Sequence, residues 1–368
     1  MSRGIQEQLE THFFNRPVHY FTACIAIAMA AAATSHADSL QPPPDGRLYH
    51  GFYYSAEDSN EHTSTAMDVE RYERSVGAGT AWVFFSDFWC EGRQFPTAMC
   101  KWIHAMGKIP YVRLMLRSEF DQNRAEKLFT LDAIIAGKFD ADLTQWAAGA
   151  KNFGTPLLVE WGTECNGEWF AWNGKWNGKA DGPAKFVLAW RHLVKLIRDS
   201  GCGNITWVWH VNDSDVPSVV WNRLENYYPG NDYVDWVAVS AYGFLRPDEK
   251  GKPERLRDLL DEVYPRLMAV APRKPLILAE FGCTQRHPKI AASAWARDAL
   301  TDLLSSRWPH ISGFCWWNEA WQNDDVRKHD TNMIVMDDPA LAKAFQEQLS
   351  TAKDRIQETA ILGQPQGR

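Results

Sequence analysis

Leu157-Leu-Val-Glu-Trp-Gly-Thr-Glu164-Cys-Asn-Gly-Glu-Trp-Phe-Ala-Trp172 runs an apolar strand straight into a carboxylate set among glycine and aromatic rings. More than a hundred residues later Pro275-Leu-Ile-Leu-Ala-Glu280-Phe-Gly282 ends in the same way. Apolar runs of this kind recur along the chain, at 49–55, 81–88, 109–116, 156–162, 205–211, 236–242, 275–281 and 311–317. Each is apolar almost throughout, as expected for parallel strands covered on both faces. The segments between them carry one-sided helical stripes, such as Leu143, Trp146, Ala147 and Ala150, or Phe186, Trp190, Leu193, Val194 and Ile197. Gly107, Gly154 and Gly201 stand just before a following strand, where a helix C-terminal cap favours glycine. Strand and helix alternating eight times predicts an α/β fold of the (β/α)8 TIM-barrel type; a doubly wound open sheet shares the alternation, but the count of eight and the length favour closure.

In such a barrel the chemistry lies at the C-terminal ends of the strands. Those ends read Tyr53-Tyr54, Ser86-Asp87, Arg113, Glu164, His210 with Asn212, Tyr242, Glu280, and Trp316-Trp317-Asn318-Glu319. Strands four and seven lie on opposite sides of a small barrel mouth, so Glu164 and Glu280 could stand about 5–5.5 Å apart, the spacing of a retaining glycosidase. A lone glutamate is more often a surface or ion-paired acid. Two at matching strand ends, each beside glycine and aromatic residues, reverse that expectation. Glu160 shares the parity of Glu164 and lies deeper, where a charge needs a partner, and Arg113 on the neighbouring strand is the expected one.

The chain has 368 residues, 45% hydrophobic, with 18 tryptophans and a formal charge of −7. It is long enough for one α/β barrel, and its charge gives nucleic acid little reason to bind. Residues 1–37 read as an export signal: Arg3 and Arg16, an apolar run over 20–33, then Ser35-His36-Ala37 as a small-x-small cleavage site. The run is too short for a comfortable membrane span, so the expected location is secreted or periplasmic and no stable membrane partner is expected. The division is then a signal peptide (1–37), a linker (38–46), a single barrel domain (47–350) and a C-terminal tail (351–368). Of the six cysteines beyond the leader, Cys90 and Cys100 flank a short loop and are the best candidates for a disulfide, while Cys165, Cys283 and Cys315 read as small buried hydrophobes. The cysteine and histidine spacing offers no metal site, and the chemistry of two carboxylates calls for neither metal nor other cofactor.

Several of these stretches resemble glycoside hydrolase family 26, one of the retaining clan A barrels and home to β-mannanases and some β-glucanases. The resemblance covers the whole expected domain. It is carried by Ile135-Ala-Gly-Lys-Phe-Asp-Ala-Asp-Leu-Thr-Gln-Trp-Ala147, Glu164-Cys-Asn-Gly-Glu-Trp-Phe170, Asn204-Ile-Thr-Trp-Val-Trp209, Tyr228-Pro-Gly through Asp235-Trp-Val-Ala-Val-Ser-Ala-Tyr242, and Ala279-Glu280-Phe-Gly282. It implies a retaining glycoside hydrolase with Glu164 as acid/base, Glu280 as nucleophile and Tyr242 as the hydroxyl that orients Glu280. Trp169 matches the aromatic residue lining the reactive sugar site. Asn166 and Trp316 or Trp317 join it as expected sugar-binding positions, and His210 is read either as a further sugar contact or as a hydrogen-bonded structural histidine. The expected partner is a β-linked polysaccharide or oligosaccharide and the expected state a monomer.

Two positions depart from the family pattern. Thr163 stands where members commonly carry the histidine that helps bind mannose, and Glu160 where they often carry arginine, so β-glucan and bacterial exopolysaccharide stand beside mannan as substrates. The rival from another class is a non-hydrolytic carbohydrate-binding barrel. A cysteine nucleophile at Cys165 or Cys283 lacks a histidine partner in the sequence.

Overall fold

The structure is a computed structural model that describes residues 39–55 and 63–360. The expected leader lies outside these residues. Eight parallel strands run in order around a closed sheet: β1 (Leu48–Tyr53), β2 (Trp82–Phe88), β3 (Ile109–Met115), β4 (Leu157–Trp161), β5 (Ile205–Asn212), β6 (Trp236–Tyr242), β7 (Leu276–Gly282) and β8 (Ile311–Trp316). Closure is explicit, because β8 pairs with β1 in parallel at Tyr49 and Gly313. The (β/α)8 barrel expected from the alternation is therefore present.

Helices cover the outside of the sheet: α1 (Ala66–Val76), α2 (Thr97–Ala105), α3 (Leu131–Ile135), α4 (Asp140–Phe153), α5 (Gly182–Asp199), α6 (Leu256–Val270), α7 (Ala292–Leu304) and α8 (Pro339–Thr351). Local chemistry sets their ends. Thr65 and Asp68 form a reciprocal capping box on α1, and Gly77 closes that helix in the left-handed conformation. Gly154 closes α4 in the same way, at φ 74°. The crossover from β5 to β6 differs from the expected alternation: among the described residues it holds two short 3-10 turns, Val220–Asn222 and Leu224–Tyr227, in place of an α-helix.

Packing extends beyond the 47–350 limits expected for the domain. Leu40 is buried and its N–H donates to Thr206 Oγ1 at 3.1 Å, while Ile356–Gln357 pairs in parallel with β1. The C-terminal flank thus gives the start of β1 backbone partners, while the N-terminal flank is fixed to β5. The expected disulfide is absent: Cys90 and Cys100 are both free thiols, Cys100 lying on the buried face of α2 and Cys90 half-buried in the turn after β2.

Two features of the sheet position the site. Arg113 and Glu160 are register partners on β3 and β4, which puts them at one level on one face. On β7 one extra residue intervenes at Ala279: Val239 pairs with Leu278, but Ser240 pairs with Glu280, and the register to β8 also shifts between Leu278 and Phe281. This bulge brings Glu280 to the level of Ser240, one position earlier than regular pairing would.

Below the site, a connected run of rings fills the barrel. Tyr49 meets Trp82 at 5.9 Å between centroids, Trp82 meets Tyr111 at 6.4 Å, and Tyr111 stacks on Phe84 at 4.1 Å. Trp82 fits because its neighbours have no side chain. A Cβ on Gly51 would lie 2.1 Å from Trp82 Nε1, and one on Gly313 would lie 2.5 Å from Trp82 Cη2. Overpacking of this kind costs about 1–3 kcal/mol. Gly51→Ala should therefore lower the urea unfolding midpoint clearly, and an unchanged midpoint would show that the ring run is looser than described.

Candidate active site at the strand ends

Glu164 follows β4 through Gly162 and Thr163. Gly162 takes φ +67°, and a Cβ there would lie 2.4 Å from the Phe186 ring, so glycine lets the chain turn tightly against α5. Glu164 itself adopts φ 46°, a left-handed conformation that costs a non-glycine residue roughly 1–2 kcal/mol. The turn is held from several sides. Gly167 N–H donates to the Glu164 carbonyl at 2.7 Å, Trp172 Nε1 to the Thr163 carbonyl at 2.8 Å, and Trp169 Nε1 to Glu164 Oε2 at 2.7 Å.

Glu280 sits across the same cavity. Tyr242 Oη donates to its Oε2 at 2.6 Å, and Arg113 Nη2 donates to its Oε1. The Tyr242 phenol is pushed well above its ordinary value by burial and then by the charge of Glu280, so it remains a donor. The same guanidinium that grips Glu280 also donates through Nε to Glu160 Oε1 at 2.9 Å. Arg113 thus bridges two buried carboxylates, and the partnership expected between Arg113 and Glu160 is present with a second acid added.

The two acids at the strand ends differ in their surroundings. Burial raises Glu164 to about 7, and the negative Glu280 adds to that rise; His210, Ser240 and Trp169 oppose it. Trp169 lowers Glu164 because its indole N–H favours the ionised carboxylate. Burial would also raise Glu160, but His210 and Arg113 outweigh it and hold that acid at about 2.

The cavity between Glu164 and Glu280 has a volume of about 490 Å³ and is lined also by Arg113, Gln122, Trp169, Phe170, Asn212, Tyr242, Leu245, Trp317, Glu319 and Trp321. Trp317 stacks on Tyr53 at 3.5 Å between centroids, with the Arg113 guanidinium 4.9 Å from its ring. Glu319 stands at the rim and accepts from Tyr53 Oη at 3.2 Å.

Three of the expected sugar-binding residues lie elsewhere. Trp316 is buried among Phe281, Trp295 and Phe345 and donates to the Met333 carbonyl at 2.7 Å. Successive strand side chains point to opposite faces, so of Trp316 and Trp317 only the second reaches the cavity. His210 is fully buried beneath the floor, bonded to Glu160, Thr163 and Ser240. Asn166 is also buried: its amide nitrogen holds the carbonyls of Asn212 and Ser214 and Asp215 Oδ1, and its Oδ1 accepts from Asn212 N–H. It builds the loop under the site.

Sequence reading missed Gln122, Leu245 and Trp321 as cavity residues. Gln122 and Leu245 come from loops beyond β3 and β6. Trp321 arrives on a two-residue strand, Ala320–Trp321, that pairs antiparallel with Thr331–Asn332. Nothing in the apolar pattern marks these positions, since they lie past the points where the strands end.

The profile of glycosyl hydrolase family 26 matches residues 127–265, a span that includes Glu164 and Tyr242 and stops short of Glu280. Endoglucanase H of Acetivibrio thermocellus is 26% identical over 189 residues, 51% of this chain and 20% of its own length. A mannan endo-1,4-beta-mannosidase A and B of Caldalkalibacillus mannanilyticus is 28% identical over 180 residues, 48% of this chain and 31% of its own length. The chain thus spans less than a third of either relative. Among solved structures, a family 26 β-mannanase from Bacteroides ovatus superposes with a TM-score of 0.59 over 88% of this chain and 92% of its own, at 15% identity, which is a likeness of fold. Over residues 127–265 the chain matches glycosyl hydrolase family 26, and both relatives and the barrel fold are in keeping with that match.

Proposed function

We propose that the chain hydrolyses a β-linked polysaccharide with retention of anomeric configuration, Glu280 acting as nucleophile and Glu164 as acid/base. One observation carries this reading: two carboxylates face one cavity in different surroundings, Glu164 raised to about 7 by burial and Glu280 gripped by Arg113 and Tyr242. An acid raised by burial is suited to donate a proton, and one that accepts from a guanidinium and a phenol is suited to attack.

In the first step the Glu280 carboxylate attacks the anomeric carbon, the glycosidic C–O bond breaks, and the Glu164 proton goes to the leaving oxygen. In the second step Glu164 takes a proton from water, the water oxygen bonds to the anomeric carbon, and the ester to Glu280 breaks. Arg113 and Tyr242 hold Glu280 aimed before attack, which lowers the reorganisation needed in the transition state. Trp169, Trp317 and Trp321 offer ring faces for sugar stacking.

Relatives named for mannan and for glucan both support a β-glycan, and neither side chain at the two departing positions meets the cavity. Thr163 turns its hydroxyl to His210 Nδ1 at 2.9 Å, and Glu160 is spent on Arg113, Tyr111 and His210. We place the enzyme outside the cytoplasm, on the reading of residues 1–37 as an export signal. Product profiles across mannan, lichenan, xylan and bacterial exopolysaccharides would fix both the substrate and endo or exo action.

Glu280→Ala should abolish turnover, and azide should restore it as a glycosyl azide of inverted configuration; Glu164→Ala should slow turnover least for substrates with good leaving groups. Inverted product from the unmodified enzyme would sink the scheme. Glu164 must be protonated to donate, so kcat/KM should fall as pH rises through about 7. Arg113→Ala leaves Glu160 and Glu280 without their shared cation and should cost about 3–5 kcal/mol in denaturant unfolding together with most of the activity. A variant as stable as the parent would remove Arg113 from this account.

A further inference from the structure

Beneath Glu164 lies a chain of side chains that the two-carboxylate scheme does not use. Glu160 accepts from Tyr111 Oη at 2.7 Å and Arg113 Nε at 2.9 Å, and its Oε2 lies 3.0 Å from His210 Nδ1. His210 Nε2 lies 2.8 Å from Ser240 Oγ, and the Ser240 side chain acts on Glu164 in the direction that lowers it. Glu160, His210, Thr163 and Ser240 all have 0% exposure, so bulk water does not reach them. We propose that Glu160, His210 and Ser240 form a positioning relay that fixes the Glu164 carboxyl and governs how readily it releases its proton. The inference rests on the hydrolase reading above and gives Glu164 its control.

The direction of the relay follows from donors and acceptors. Ionised Glu160 only accepts, whereas the Thr163 hydroxyl beside the same nitrogen can accept or donate, so the arrangement that satisfies both oxygens puts a proton on His210 Nδ1. If His210 is a cation, Nε2 also carries a proton and donates to Ser240 Oγ. The single Ser240 proton is then free to point at Glu164. If His210 is neutral with its proton on Nδ1, Nε2 becomes an acceptor, captures the Ser240 proton, and leaves Glu164 without that donor. The charge on His210 is thus read out at Glu164 through the rotation of one hydroxyl.

The surroundings favour the cation. The charged groups that act on His210 are Glu160 on β4, Glu164 just past it, and Glu280 on β7. Burial alone would lower the imidazole, and the negative Glu160 beside it, with help from the other two acids, leaves it raised. Arg113 neutralises the far side of Glu160 and of Glu280, so charges alternate from Arg113 through Glu160 to His210. A hydrogen bond to the ionised form stabilises it, so the relay draws Glu164 down against the burial and repulsion that raise it. Glu164 is held where it can donate and then recover its proton within one catalytic cycle.

Carboxyl carbon-13 NMR of the full chain tests this without turnover, with the basic limb of kcat/KM on a β-glycan as the second readout. In Ser240→Ala the Glu164 titration and the basic limb should both move up by about one pH unit, and Ser240→Thr, which keeps the hydroxyl, should return both. Nitrogen-15 NMR should find the His210 ring doubly protonated at pH 7 in the parent and singly protonated in Glu160→Gln. Should Glu160→Gln fail to fold, the parent spectrum and the Ser240 pair still decide the matter. An unmoved Glu164 titration in Ser240→Ala, or a neutral His210 in the parent at pH 7, overturns the relay. An inactive parent enzyme overturns the hydrolase reading instead, and the NMR titrations still report on the relay.

Discussion

One guanidinium between two buried carboxylates is the constraint on which the rest of the site depends. Arg113 is almost fully buried, as are Glu160 and Glu280, so none of the three can be stabilised by bulk water. Removing charges from water costs several kcal/mol per ion unless geometry and hydrogen bonds compensate. Here they do so from every side: Tyr111 and His210 complete Glu160, Tyr242 completes Glu280, and the rings of Phe84 and Trp317 lie 4.8 and 4.9 Å from the guanidinium. The barrel interior therefore carries a polar layer over an aromatic filling. The ring run from Tyr49 to Phe84 is the floor on which that layer stands.

The polar layer also explains how two glutamates four residues apart come to behave oppositely. Glu160 meets cationic partners and sits at about 2, while Glu164 meets a like charge in a buried place and sits at about 7. Glu160 replaces an arginine that the family resemblance leads one to expect, and Arg113 stands on the next strand at the same level. The cationic group and the acid are both present in the layer. The glutamate at position 160 on β4 is what places a carboxylate next to His210.

Much of this was legible in the chain because burial on both faces makes a parallel strand apolar, so a charge at its end stands out. Glu164, Glu280 and Tyr242 are visible for that reason, and Arg113 with Glu160 follows from parity. The readings that failed needed something a linear pattern lacks. Trp316 and Trp317 are identical residues at one strand end, and only the register assigns one to the core and the other to the cavity. His210 and Asn166 stand at polar positions near the mouth, yet their side chains are consumed by neighbours from β4, β6 and the β5 loop. Trp321 reaches the cavity from a short antiparallel pair that only tertiary folding creates. Cys90 and Cys100 are near in sequence, but helix α2 commits Cys100 to the core.

The extra residue at Ala279 in β7 bears on how such a site could be transplanted. Ala279 is skipped in the pairing of β7 with β6, and this moves the aim of Glu280 relative to the strand that delivers it. A graft that copied only a glutamate at the end of a seventh strand into another eight-stranded scaffold would keep regular pairing. It would set that acid level with Ala241 instead of Ser240, its carboxylate out of line with Arg113 and Tyr242. The portable unit is the irregularity and the acid together.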